Sequence, residues 1–156
     1  MKKKKQKSVE HGLCPCGGYQ GLSLFKDCCG PYLSGAALPA SAECLMRSRY
    51  TAYVYHDESY LLKTWHPKTR PQSLDLINSM SQWIGLTVHE FHEVDETHQE
   101  VSFTAKYKDN GRAFKMREHS RFVKEGGQWL YLDGDDLVLN ISDDNDCYLQ
   151  KGSFEN

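Results

Sequence analysis

No apolar run in the 156 residues approaches the ~20 needed to cross a bilayer, so no membrane span is expected. Met1 to Lys7 resembles the basic start of a signal peptide, but no apolar stretch follows it. Missing too are a Gly-x-Ser-x-Gly elbow, a phosphate-binding Walker loop and a dinucleotide-binding glycine pattern. With them go the reaction classes those motifs announce. A basic surface for nucleic acid is also lacking. Five of the 19 Lys and Arg residues fall within the first seven, leaving 14 against 21 acids and a net charge of −7 for the rest. A lysine-rich tail over residues 1–12 is expected to be disordered. It is the one segment suited to weak contact with RNA or anionic lipid.

The six cysteines are unevenly spread. Four occur within sixteen residues, as Cys14-Pro15-Cys16-Gly17 and Cys28-Cys29-Gly30. A divalent ion held by four thiolates needs soft donors ~2.3 Å from the metal in a tetrahedron. Two short pairs on a turn-rich loop can supply the opposite edges. Disulfides within either pair are poor bonds, because a one-residue or zero-residue ring is strained. The residues therefore nominate Cys14, Cys16, Cys28 and Cys29 as ligands of one structural Zn²⁺. Iron on the same thiolates, redox pairs and inert thiols are the alternatives. Thiol-rich boxes of this kind suit a reducing compartment, which makes the expected location cytoplasmic. His89, His92 and His98 lack ligand spacing, and no second metal is expected.

The remainder reads as α+β. Pro31 to Pro39 has the composition of a linker. Ser41 is an N-cap before a helix from Ala42 to about Asp57, with Met46, Tyr50, Tyr53 and Val54 on one stripe. A second helix is expected over Glu58 to Trp65, and a third from Pro71 to a stop at Gly85. Alternation then sets in at Leu86, returns over Val101 to Tyr107, and runs from Arg112 to Lys124 and Gln128 to Leu132. Asn110-Gly111 and Gly126-Gly127 mark tight hairpin turns. Three helices on one face of a curved four-stranded antiparallel sheet result. The strand is expected to close at Asp133-Gly134, with 135–156 an acidic, solvated tail that does not match calcium-loop spacing.

Cys-Pro-Cys-Gly followed by Cys-Cys-Gly resembles the SEC-C motif, a small zinc-binding element named from the tail of the SecA translocation ATPase. There it contacts partner proteins. The resemblance implies the same four ligands, on a box spanning residues 13–30 with a longer inner loop. Further matches lie in Leu45-Met46-Arg47-Ser48-Arg49-Tyr50, Lys63-Thr64-Trp65-His66-Pro67, Trp83-Ile84-Gly85-Leu86-Thr87-Val88 and Ser120-Arg121-Phe122-Val123-Lys124-Glu125-Gly126-Gly127-Gln128-Trp129. Together these resemble the YchJ family of uncharacterised bacterial proteins. That resemblance implies a SEC-C box before a nuclear-transport-factor-two-like, cystatin-like cone over residues 40–134. Many members carry a second box at the C-terminus, where this chain has only Cys147.

A cone of this type can enclose a pocket, and its polar and aromatic candidates are Tyr50, Tyr53, Trp65, His66, Glu118, Arg121, Trp129 and Tyr131. His66 beside a carboxylate such as Glu118 is a candidate base, against the plainer role of a helix cap. Arg47 and Arg49 suit either an anion or pairing with Glu43 and Asp57. Three functions follow. One is an adaptor whose zinc box contacts a protein partner; another is a small-molecule receptor or enzyme using the cone. A redox or metal-handling role is the third. The sheet offers a surface for a homodimer.

Overall fold

The computed structural model describes residues 12–76, 81–140 and 147–150. The lysine-rich start and most of the acidic end lie outside them. Leu13 and Leu24 form an antiparallel bridge that closes the cysteine loop, and a 3₁₀ turn at Phe25–Asp27 delivers Cys28 and Cys29. Helix α1 (Gly30–Ser34) begins there, in part of the stretch read as linker. Pro31 in its first turn is pre-set for helix, and Gly35 ends it in the left-handed region at φ 84°.

Helix α2 (Ala42–Val54) starts where expected, with the Ser41 hydroxyl accepting from Cys44 N at 3.2 Å. Helix α3 (Glu58–Lys63) is capped by Asp57 in the same manner. Four long strands follow as a meander: β1 (Gln82–Asp95), β2 (His98–Asp109), β3 (Arg112–Glu125) and β4 (Gln128–Asn140). All neighbours are antiparallel, in the order β1-β2-β3-β4, and the short β5 (Cys147–Gln150) adds to the far edge. Asn110 and Gly111 take φ 49° and 76°, the geometry that an Asn-Gly hairpin turn adopts at little cost. The α+β architecture, three helices against an antiparallel sheet behind a cysteine box, is as the sequence implies.

Two elements differ. The third helix expected from Pro71 to Gly85 does not reach either of those ends: 71–75 are irregular, and Gln82 onward pairs with β2 through Gln82–Lys108 and Trp83–Tyr107. Residues 77–80 of that span lie outside the described residues. Trp83 turns inward against Tyr50, Tyr53 and Tyr107, while Ile84 is exposed. Packing of one large ring against three others outweighs a weak helical spacing. The last strand does not close at Asp133-Gly134 but continues to Asn140, so 135–140 are sheet rather than tail. Two of its aspartates pair with a cation of β3: Arg121 bonds both Asp133, which lies opposite it, and Asp135. Unlike charges across a strand pair stabilise it by a few tenths of a kcal/mol, roughly 0.2–1 each.

The main core lies between α2 and the concave face of the sheet. Leu45, Met46 and Tyr50 meet Val101, Phe103, Ala105 and Phe122 there. Cys14, Cys16 and Cys29 belong to the same cluster. The box is therefore packed into the domain instead of hanging from it.

Candidate functional site

The cysteine box is built by backbone bonds. Cys14 N donates to Ser23 O at 2.8 Å and Phe25 N to Gly12 O at 2.9 Å, which fixes the loop's two limbs. Gly17 N closes a turn on Cys14 O at 3.1 Å, bringing Cys16 back toward Cys14. From the body, Arg47 donates to Cys16 O at 3.0 Å, and Cys14 Sγ rests 3.6 Å from Thr51 Oγ1. As a result, the Sγ atoms of Cys14, Cys16, Cys28 and Cys29 all lie within 4.8 Å of one another. Cys16 to Cys28 is 3.5 Å and Cys28 to Cys29 is 3.9 Å. A tetrahedron with ~2.3 Å metal–sulfur bonds has edges of about 3.8 Å, so the cluster fits a single ion.

Its protonation chemistry agrees. Hydrogen bonds from Cys16 and Cys29 hold Cys14 far below the usual thiol range, and those same bonds push Cys16 and Cys29 up. Burial pushes Cys28 up to about 12. A divalent cation bound among the four sulfurs would favour ionisation of them all. Gly18 N also donates to Cys16 Sγ at 3.3 Å, a bond that favours the thiolate. Cys14, Cys16, Cys28, Cys29 and Cys44 are all free thiols.

The second feature is a cavity of about 290 Å³ between α2 and the sheet. Tyr50, Tyr53, Trp65, Glu118 and Tyr131 of the sequence candidates line it. Trp65 is brought there by tertiary pairing: Tyr131 N donates to Thr64 O at 2.9 Å and His66 N to Tyr131 O at 2.8 Å, a parallel bridge between the end of α3 and β4. Three candidates lie outside. His66 bonds Glu125 at 2.9 Å and accepts from Lys68 N, the role of a turn cap. Arg121 is on the convex face, paired with Asp133 and, at 3.0 Å, with Asp135. Trp129 is buried in the main core and lines a separate small cleft, with Lys124 over its ring. Strand alternation is the reason: Glu118, Ser120 and Phe122 point inward, so Arg121 points out.

At the polar end of the cavity are two charged groups. Arg49, 6% exposed, donates through Nη1 to Leu61 O and Thr64 Oγ1, both at 2.8 Å. Its guanidinium lies 4.7 Å from the Tyr131 ring centre and 5.0 Å from that of Trp65. Glu118, 7% exposed, accepts from Ser120 Oγ and, at 3.0 Å, from Tyr131 Oη. Burial raises the Glu118 carboxyl above its ordinary range and lowers Arg49. Among the described residues no ion pair joins the two. Gly134 makes room for the carboxyl: a Cβ there would stand 3.0 Å from Glu118 Cδ and closer still to Oε1. Trp65 Nε1 is buried with no hydrogen-bond partner among the described residues.

Sequence reasoning left the role of Arg49 open and did not find Ser120, Trp83 or Phe103 as cavity residues. Arg49 sits between Ser48 and Tyr50 on α2 and is buried with them. The signal available was its place beside the apolar stripe of α2. Arg47, by contrast, pairs with Glu43 at 3.4 Å.

Comparison with known proteins bears directly on both features. The family model for the YchJ middle NTF2-like domain matches residues 41–134. The chain belongs to that family. It is 46% identical over 133 residues to a UPF0225 protein of Ralstonia nicotianae, covering 78% of this chain and 90% of the relative. A UPF0225 protein of Xanthomonas oryzae is 47% identical over 128 residues, covering 81% and 96%. Among solved structures, a SEC-C motif containing protein of Psychrobacter arcticus superposes with a TM-score of 0.69 at 28% identity, over 81% of this chain and 83% of that one. Another, from Rhodopseudomonas palustris, gives 0.65 at 32% identity, over 72% and 91%.

Proposed function

We propose that this family member is a small-molecule-binding protein: the cone cavity takes the ligand, and the four-cysteine box holds a structural zinc ion. One observation carries the reading. A cavity of about 290 Å³ with an aromatic wall contains a guanidinium and a carboxyl that are both buried and not paired with each other. An unpaired buried charge costs several kcal/mol, about 3–5 where one partner of a pair has been removed. A domain held together by packing alone gains nothing from that cost, whereas a binding site does. Zinc at Cys14, Cys16, Cys28 and Cys29 would tie the N-terminal segment to α2, and sites of this kind contribute about 10–16 kcal/mol to folding. The reduced thiols suit the cytoplasm.

The test has two arms. Elemental analysis of freshly purified protein should give one zinc per chain, and none in the Cys16→Ser, Cys29→Ser double variant; unchanged metal content in that variant refutes the site. A thermal-shift screen of metabolites on the zinc-loaded protein should find compounds that raise the melting temperature, as ligands of the folded state must. A broad screen without a single shift counts against the cavity.

A second reading, the box as a contact site for a protein partner, is favoured by the exposure of Leu13, Tyr19, Leu22 and Leu24 on its loop. Leu22→Asp should abolish capture of such a partner without loss of zinc.

A further inference from the structure

Resting on the cavity reading above, we infer that the site binds a carboxylate: a mono-anionic aromatic or alicyclic acid of about a dozen heavy atoms. Its carboxylate lies on the Arg49 guanidinium, with the apolar body among Tyr50, Trp83, Phe103 and Met116.

Size comes first. An apolar cavity of roughly 150 Å³ accommodates benzene. At about 290 Å³, this one has room for about twice as much. Its wall is largely carbon, with six aromatic side chains from α2 and the sheet (Tyr50, Tyr53, Trp83, Phe103, Phe122 and Tyr131) and Met116 beside them. Such a lining rewards a flat apolar body and gives a polyol or a nucleotide few partners.

Charge comes next. Arg49 spends only Nη1 on protein oxygens, leaving the Nε and Nη2 side of its fork without an acceptor among the described residues. A guanidinium edge with parallel N–H groups matches the two oxygens of a carboxylate. The rings of Trp65 and Tyr131 cover its face, which holds the plane of the fork and directs further binding to its edge. Trp65 itself, in the same wall, keeps a buried indole N–H without an acceptor. Arg49 Nε and Nη2 and the Trp65 indole are donors without a partner among the described residues, while Glu118 takes both of its hydrogen bonds on Oε1; an added acceptor group would meet those donors.

Glu118 sets the number of charges. Its carboxyl already accepts from Ser120 and Tyr131, and burial favours its protonated form. One anion on Arg49 matches the single guanidinium that lines the cavity among the described residues. A dianion such as a phosphate monoester would leave one charge uncompensated in an apolar space, at a cost that binding cannot recover. A monocarboxylate satisfies the balance; a phosphate does not.

The experiment uses zinc-loaded full-length protein and follows tryptophan fluorescence, because Trp65 and Trp83 line the cavity. 3-Phenylpropionate, its neutral amide 3-phenylpropionamide and phenyl phosphate are titrated in parallel. The acid should bind roughly ten- to a hundredfold more tightly than the amide, the difference a charge-assisted bond confers, and phenyl phosphate should be weak. Arg49→Lys keeps the charge but loses the fork, and should weaken the acid at least tenfold with little effect on the amide. Because Arg49 also bonds Leu61 and Thr64, Ala105→Leu serves as a second variant: it fills the cavity without touching a polar group, and should weaken acid and amide alike. Equal affinity for acid and amide, both lost in Ala105→Leu, overturns the carboxylate assignment and leaves the cavity reading standing. Phenyl phosphate binding best also overturns it. Saturation by none of the three, while metabolites shift the melting temperature, overturns the size and class. Saturation by none, with no shift in the screen, removes the cavity reading as well.

Discussion

Glu118→Gln isolates the electrostatic cost of the buried carboxyl. In the folded chain Glu118 is 7% exposed and burial raises its pKa above that of an unfolded glutamate, about 4.3. An acid shifted upward keeps its proton longer in the folded state than in the unfolded one. Its contribution is fully present below about pH 4.3 and drains away as pH rises to the folded pKa, at about 1.4 kcal/mol per pH unit. Glutamine keeps the shape, and its carbonyl still accepts from Ser120 Oγ and Tyr131 Oη, but it cannot ionise. Stability of the variant relative to the parent should therefore grow with pH across that window and then level. With a urea dependence of about 2 kcal/mol per molar for a chain of this size, each pH unit moves the difference in midpoint by about 0.7 M. The assay is urea unfolding of both proteins, zinc-saturated, at half-unit steps from pH 4.5 to 7.5. Asp136 is also raised by burial and its charge adds to the upward shift of Glu118, so the difference reports the Glu118 carboxyl together with that coupling. Parallel midpoints across the range, or a variant that loses ground as pH rises, would refute a carboxyl raised by burial.

Two further outcomes test neighbouring parts of the argument. Gly134→Ala should displace the Glu118 carboxyl from Ser120 and Tyr131, since the new Cβ would overlap it. A loss of about 1–2 kcal/mol in urea unfolding is expected, and much less when the same change is made in the Glu118→Ala background, because the clash is then gone. Ser41→Ala removes the hydroxyl that caps α2 and should cost about 1 kcal/mol in the same assay, whereas Ser41→Asp should restore most of it.

Several features were written locally and could be read without the fold. Ser41 caps because a hydroxyl at that position meets the free N–H groups of a helix start, whatever lies around it. Asn110-Gly111 turns because those two residues take positive φ cheaply. Cys14, Cys16, Cys28 and Cys29 could be paired as ligands because short spacing on a loop with bent backbone brings donors together by itself. In each case the deciding interaction spans few residues.

What the tertiary structure decided depended on partners far along the chain. Residues 82–85 are strand because Lys108 and Tyr107 pair with them and three tyrosines receive Trp83; their own spacing points to helix. Residues 135–140 remain in the sheet because β3 supplies the ladder and Arg121 faces the aspartates; composition alone reads as solvated tail. Arg49 is buried because the end of α3 brings the Leu61 carbonyl and the Thr64 hydroxyl within its reach, while β4 lays Tyr131 across it. Hydrophobic period and charge count record which residues prefer water on average. They do not record which carbonyl, ring or hydroxyl another segment will bring, and for a buried charge that neighbour is the whole difference between a cost and a site.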